Sequence, residues 1–190
     1  MSRNELYESA MEHLGRGETK DALRIADKMI NSESERNRLS GYICRGLAYE
    51  QGGDIEPDFD KAVFNYRKAL CEFEDSVVYS YLARVMMKKK DFEQARRFLG
   101  EAEKIRPTAE VILGFANYYA RKPVPDYLRA RRFYVKAALH GRFAGFFGYS
   151  RMARLSGQEF RAFCMDCLRI LVGPIVAILI GSKAQMTFWD

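Results

Sequence analysis

Residues 46–70, GLAYEQGGDIEPDFDKAVFNYRKAL, and residues 114–139, GFANYYARKPVPDYLRARRFYVKAAL, share one pattern that decides the fold. In each stretch a glycine stands sixteen residues before an alanine, Gly46 before Ala62 and Gly114 before Ala130, and aromatic residues follow the alanine. A spacing that recurs in this way is typical of a repeated helical hairpin, and internal repeats constrain the architecture more strongly than local propensity does.

The rest of the chain predicts helix as well. Apolar residues recur every three or four positions, and no run alternates as a strand would. Glycines, prolines and polar clusters interrupt the pattern at regular intervals, which predicts helices of roughly 11 to 16 residues joined by short turns. A chain of 190 residues with 48% hydrophobic content can bury a continuous core.

One stretch resembles a known repeat family. Residues 76–107 resemble a tetratricopeptide repeat through large and small residues at the family's positions: Tyr79, Leu82, Ala83, Met86, Ala95, Leu99, Ala102 and the closing Pro107. The two longer stretches resemble the Sel-type variant of that hairpin, which has a longer loop between its helices. The resemblance implies an all-α fold, a right-handed α-solenoid of about five helix-turn-helix repeats over residues 1–168, with a short apolar helix and tail at 169–190.

The same resemblance implies a protein-binding groove along the first helix of each hairpin. Carried over position by position, the groove comprises Ile43, Leu47, Arg84, Met87, Val111, Phe115, Tyr118 and Tyr149. These residues are mostly apolar or aromatic, so the groove suits an amphipathic or hydrophobic helix of a protein partner.

Charge is distributed unevenly along the chain. Residues 1–80 hold 11 basic and 16 acidic residues, whereas residues 81–170 hold 19 basic and 8 acidic residues. The basic half predicts a positive surface that faces an anionic partner. Its candidate residues are Arg129, Arg131, Arg132, Arg151, Arg154, Arg161 and Arg169.

An apolar segment follows the basic half. Only 13 residues separate Arg169 from Lys183, fewer than the roughly 17 to 25 that span a bilayer. Three interpretations remain open: a helix that closes the solenoid, a partial insertion into the membrane interface, or a docking element for a membrane-embedded partner. The candidate docking residues are Ile170, Leu171, Val172, Ile175, Val176, Ile178, Leu179, Ile180 and Trp189.

Residues with catalytic or metal-binding chemistry are scarce. Cys164 and Cys167 form the one compact cysteine pair, but neither a second pair nor two histidines accompany them, so we expect helix packing rather than a metal or redox site. His13 and His140 are the only histidines and lie in different repeats. We expect no enzyme activity, no cofactor and no metal.

The sequence thus leads to two hypotheses. The first is a non-catalytic scaffold or adaptor at the inner face of a membrane. There it binds a membrane-associated protein, and the anionic lipid surface is a second candidate partner. The second is a soluble regulatory module whose basic half binds an acidic protein or nucleic acid; nucleic acid is the weaker candidate, because no reading module is present. The polar N-terminus without an apolar leader, and four cysteines, predict a cytoplasmic location.

Overall fold

A computed structural model describes residues 3–180 of the chain, and side chains from Glu5 to Leu171. These residues form ten α-helices and no strand, which confirms the predicted all-α class for the described part. The helices are α1 (Arg3–Gly15), α2 (Thr19–Ile30), α3 (Glu35–Gln51), α4 (Phe59–Glu72), α5 (Ser76–Lys88), α6 (Phe92–Ile105), α7 (Ala109–Arg121), α8 (Tyr127–Leu139), α9 (Ala144–Leu155) and α10 (Glu159–Ile180).

The chain divides into two compact units, and the division falls after Asp91. In the first unit each helix from α1 to α4 packs on its successor, and α1 also contacts α3. In the second unit α6 to α10 follow the same order, and α7 also contacts α9. Packing between near neighbours in sequence is compatible with an array of helical hairpins.

Side-chain caps explain where half of the helices begin. An Asp, Ser or Thr directly before the first turn accepts a hydrogen bond from a free backbone N–H, which satisfies a donor that the helix itself leaves unpaired. Before α4, Asp58 accepts from the Lys61 N–H at 2.9 Å. The other caps of this kind are Ser34, Asp75, Thr108 and Asp126.

The paired glycines at 52 and 53 join the loop between α3 and α4 to the turn between α1 and α2. The Asp54 N–H donates to the Gly17 carbonyl at 3.0 Å, and the Thr19 hydroxyl donates to the Gly52 carbonyl. Gly53 has φ 132°, and a Cβ there would lie 2.4 Å from the Gly17 oxygen. The glycine pair is therefore required by backbone conformation and close approach.

The residues of the repeated pattern lie in the core. Ala62 and Ala130 are both fully buried. A Cβ at Gly46 would lie 2.3 Å from the Tyr66 ring, while a Cβ at Gly114 would meet only the end of the Leu99 side chain at 2.6 Å. The two glycines thus serve the same purpose, a close approach of helices, against different neighbours.

One predicted helix boundary differs from the structure, and one stretch that resembles a repeat contains the division between the units. The segment predicted as a short apolar helix from residue 169 is continuous with the residues before it, because α10 runs from Glu159 to Ile180. The division between the units falls inside the stretch 76–107, between α5 and α6.

Candidate functional site

A buried charged cluster lies among α3, α4 and α5 of the first unit. The side chain of Glu50 is 1% exposed and contacts two cations, with Arg84 Nε at 2.6 Å and Lys88 Nζ at 3.0 Å. Arg84 Nη2 and the Tyr66 hydroxyl each donate to Glu50 Oε2 at 2.8 Å. The Arg84 guanidinium also lies 4.8 Å from the centre of the Tyr81 ring.

Electrostatics keep this cluster charged. Burial raises the pKa of Glu50, but Arg84 and Lys88 outweigh that effect and the pKa of the carboxyl lies below its ordinary value of 4.5. Burial, with Glu50 as a second cause, raises the pKa of Tyr66 well above 10, so its hydroxyl stays a donor at neutral pH. Glu50 of α3 is therefore linked to α5 by ion pairs and to α4 by a hydrogen bond, and Arg84 of the predicted groove is a partner in that link.

The remaining groove residues fall into two groups. Ile43, Tyr118 and Tyr149 are half-buried. The other four are buried, although Phe115 also lines a small hollow beside α6: Leu47, Met87, Val111 and Phe115. Phe115 stacks on Phe133 at a centroid distance of 5.4 Å, and the Tyr118 ring lies 6.4 Å from Phe92 of α6. On α7, the predicted positions therefore face the core and α6.

An open cleft of about 390 Å³ lies between α7 and α9 of the second unit. Its floor holds Tyr134 of α8, whose hydroxyl donates to Asn117 Oδ1 at 2.7 Å. Arg121 and Arg151 lie on opposite walls, one on α7 and the other on α9. The rest of the lining is apolar or glycine: Leu113, Ala120, Ala144, Phe147, Gly148, Met152 and Leu155.

Gly148 makes room for the floor of this cleft. A Cβ there would lie 2.2 Å from the Tyr134 ring, so this close approach of the ring to α9 requires glycine. A glycine also packs on a tyrosine ring in the first unit, but there Gly46 lies on the helix before Tyr66, whereas Gly148 lies on the helix after Tyr134. Each tyrosine hydroxyl in turn binds a polar side chain of the first helix of its hairpin, Glu50 in one unit and Asn117 in the other.

Sequence reasoning missed most of this cleft. On α7 the cleft uses the face with Leu113, Asn117 and Arg121, two residues out of register with the predicted groove. A helical hairpin buries one side of its first helix and exposes the adjacent side, and apolar spacing alone does not distinguish them. Asn117 and Arg121 at i and i+4 are the one available signal, because a polar pair beside a core face marks the edge of an open surface.

Not all of the predicted basic residues are on the surface. Arg131 is 6% exposed, donates to Gln158 and lies over the Tyr149 ring, so it is a structural residue. Arg129 and Arg154 are exposed but pair with Asp126 and Asp166. Arg169, half-buried, lies 4.2 Å from the centre of the Phe147 ring. Of the predicted set, three arginines are exposed and have no ion-pair partner among the described residues: Arg132, Arg151 and Arg161.

The first half of α10 carries an uncovered apolar face. Phe160 is 78% exposed, Phe163 is 64% exposed and Leu171 is 70% exposed. Together with Cys164 and Cys167, these residues recur at helical spacing on one side of α10. Ile170 and Leu168 border the same side. The opposite side is covered, since Ala162 is buried and Asp166 pairs with Arg154.

The other docking residues fall outside the described side chains or outside the described chain. Val172, Ile175, Val176, Ile178, Leu179 and Ile180 belong to the part of α10 for which only the backbone is described, and Trp189 lies beyond it. Within the described range, none of the helices has both the length and the apolar character that crossing a bilayer demands.

The cysteines and histidines have simple surroundings. Cys44 is buried, and burial raises the pKa of its thiol to about 12. Ligand atoms of His13, Glu18 and Asp21 lie within 4.8 Å of one another. His13 already bonds Glu18 at 2.6 Å and Asp21 pairs with Arg24, so hydrogen bonds and ion pairs account for this trio.

Comparison with known proteins adds no family or relative: the chain matches no protein-family model, no curated protein and no solved structure.

Proposed function

We propose that this chain is a non-catalytic adaptor that lies at the anionic inner face of a membrane and holds a protein partner there. The observation that carries the proposal is the exposed apolar face of α10, with Phe160 and Phe163 at its start and Leu171 further along. Large contiguous apolar patches on a protein surface mark interaction sites, whereas scattered apolar residues do not.

A membrane interface suits this face better than water does. Each large apolar side chain contributes roughly 1.5–3 kcal/mol when it is fully removed from water. The exposed arginines Arg132, Arg151 and Arg161 have no ion-pair partner among the described residues of their unit, and each adds about 1 kcal/mol near an anionic surface. A helix with an apolar side and a cation beside it, as Arg161 is on α10, is the arrangement that lies in the plane of the interface.

Vesicle sedimentation tests the proposal. The full-length protein should partition onto vesicles of phosphatidylcholine with phosphatidylglycerol, and less onto phosphatidylcholine alone. The double substitution Phe160→Ser and Phe163→Ser should lower partitioning by at least about tenfold, because two large apolar contacts are lost. Leu139→Ser is the matched control, because Leu139 is 82% exposed at the end of α8 and does not belong to the α10 face.

Two results would refute the membrane role. One is a wild-type protein that stays in the supernatant with anionic vesicles. The other is a double variant that partitions as the wild type does while its helical circular dichroism is unchanged. Added salt should weaken the arginine contribution and leave the apolar contribution in place.

A further inference from the structure

The cleft between α7 and α9 offers hydrogen-bond donors and no acidic group. Because the Tyr134 hydroxyl donates to Asn117 Oδ1 at 2.7 Å, the amide NH₂ of Asn117 is left to donate to an occupant. Arg121 and Arg151 add two cations, and neither has an ion-pair partner in the part of the chain that the structure describes. The lining contains no aspartate or glutamate. An anion is the complementary occupant.

The walls require that the anion be attached to apolar groups. Leu113, Phe147, Met152 and Leu155 supply apolar surface beside the donors. A volume of about 390 Å³ is that of a small ligand or a few side chains. A bare inorganic anion would leave these walls in contact with water.

The shape favours a chain segment over a single head group. From Leu113 to Arg121 the cleft follows α7 for about 12 Å, at 1.5 Å per residue. We propose that this cleft binds a segment of a partner protein in which an acidic side chain stands between apolar ones. The carboxylate meets the amide NH₂ of Asn117 and the two guanidinium groups, and its apolar neighbours pack on Phe147 and Leu155. The inference rests on the proposed adaptor role and names the chemistry of the partner.

Two capped tripeptides, Leu-Glu-Leu and Leu-Gln-Leu, are the probes for this site. In ¹H–¹⁵N correlation spectra of the full-length protein, millimolar Leu-Glu-Leu should shift the resonances of Asn117, Ala120 and Gly148. Leu-Gln-Leu should bind about tenfold more weakly, the usual loss when a charge-assisted hydrogen bond becomes a neutral one.

Three substitutions locate the binding. Asn117→Asp keeps the acceptor for Tyr134 but places a negative charge in the cleft, so Leu-Glu-Leu should bind at least about tenfold more weakly. Arg151→Gln should also weaken it. Arg106→Gln is the control, because Arg106 is an exposed cation of the same unit that does not line the cleft, and it should leave the affinity unchanged.

The proposal is overturned by any of three results: no shifts with millimolar Leu-Glu-Leu, equal affinities for the two peptides, or an Asn117→Asp variant that binds as the wild type does. Shifts of the same resonances by inorganic phosphate or by phosphatidylglycerol vesicles, without the peptide effect, would assign the cleft to phosphate groups instead. Vesicle binding that persists in Asn117→Asp would leave the adaptor proposal standing, so the two failures are distinguishable.

Discussion

Replacing Glu50 by glutamine tests whether the charged cluster holds the first unit together. The substitution keeps the size of the side chain but removes the negative charge that faces Arg84 and Lys88. Breaking a buried ion pair on one side costs about 3–5 kcal/mol, because the remaining charge is left buried without a partner. Since the Arg84 and Lys88 side chains are 24% and 33% exposed, water relieves part of that cost, and we expect about 3 kcal/mol.

Urea unfolding at neutral pH, followed by circular dichroism, measures this loss. Hydrogen exchange should assign it to α3, α4 and α5. Glu12→Gln is the control, because Glu12 forms an exposed i, i+4 pair with Arg16 in the same unit, and we expect a change below about 0.5 kcal/mol.

The pH dependence of Glu50 has a defined sign. The carboxyl has a lower pKa in the folded than in the unfolded protein, so its contribution to stability is present above 4.5 and is lost as the pH falls through the lowered folded pKa. The difference in the free energy of unfolding between the wild type and Glu50→Gln should therefore become smaller below pH 4.5. A gap of less than about 1 kcal/mol at neutral pH, or an equal loss in Glu12→Gln, would refute the role of the cluster.

Two further predictions concern packing and reactivity. Gly148→Ala should destabilise the second unit by about 1–3 kcal/mol, because the new Cβ would overlap the Tyr134 ring. The control Gly100→Ala should stabilise α6 by up to about 1 kcal/mol, because its new Cβ meets nothing within 4 Å. Equal urea midpoints for the two variants would contradict this prediction. With iodoacetamide at neutral pH, mass spectrometry should find Cys71 alkylated and Cys44 unmodified until urea is added, because Cys71 is exposed and burial raises the pKa of the Cys44 thiol to about 12.

Helix content and helix starts could be read from the sequence because both are local properties. The three- and four-residue apolar spacing predicts the helical class that the described residues have, although it does not predict that α10 runs unbroken from Glu159 to Ile180, and Asp58 directly before α4 is a local signal for its start. Buried alanines at 62 and 130 follow from the same reasoning, since two helices approach closely only where side chains are small.

The cleft could not be read in the same way, because it depends on which side of α7 is left uncovered. Val111 and Phe115 continue the apolar spacing, and they are apolar because they face the core. Asn117 lies beside that face, and its orientation is fixed by the hydroxyl of a tyrosine 17 residues away on α8. A long-range contact of this kind leaves no local periodicity in the sequence.

The cleft and the apolar face of α10 lie on adjacent helices, because α9 forms one wall of the cleft and packs on α10, and this sets which substitutions can separate their functions. α9 supplies Arg151 and Leu155 to the cleft, and its Arg154 pairs with Asp166 of α10. Arg169 of α10 lies over Phe147 of the cleft wall, so a change at either position disturbs both surfaces. Any effect of one ligand on the affinity of the other must then be reciprocal. Asn117 on α7 and Phe160 at the outer side of α10 touch one surface each, and variants there report on protein binding and membrane binding separately.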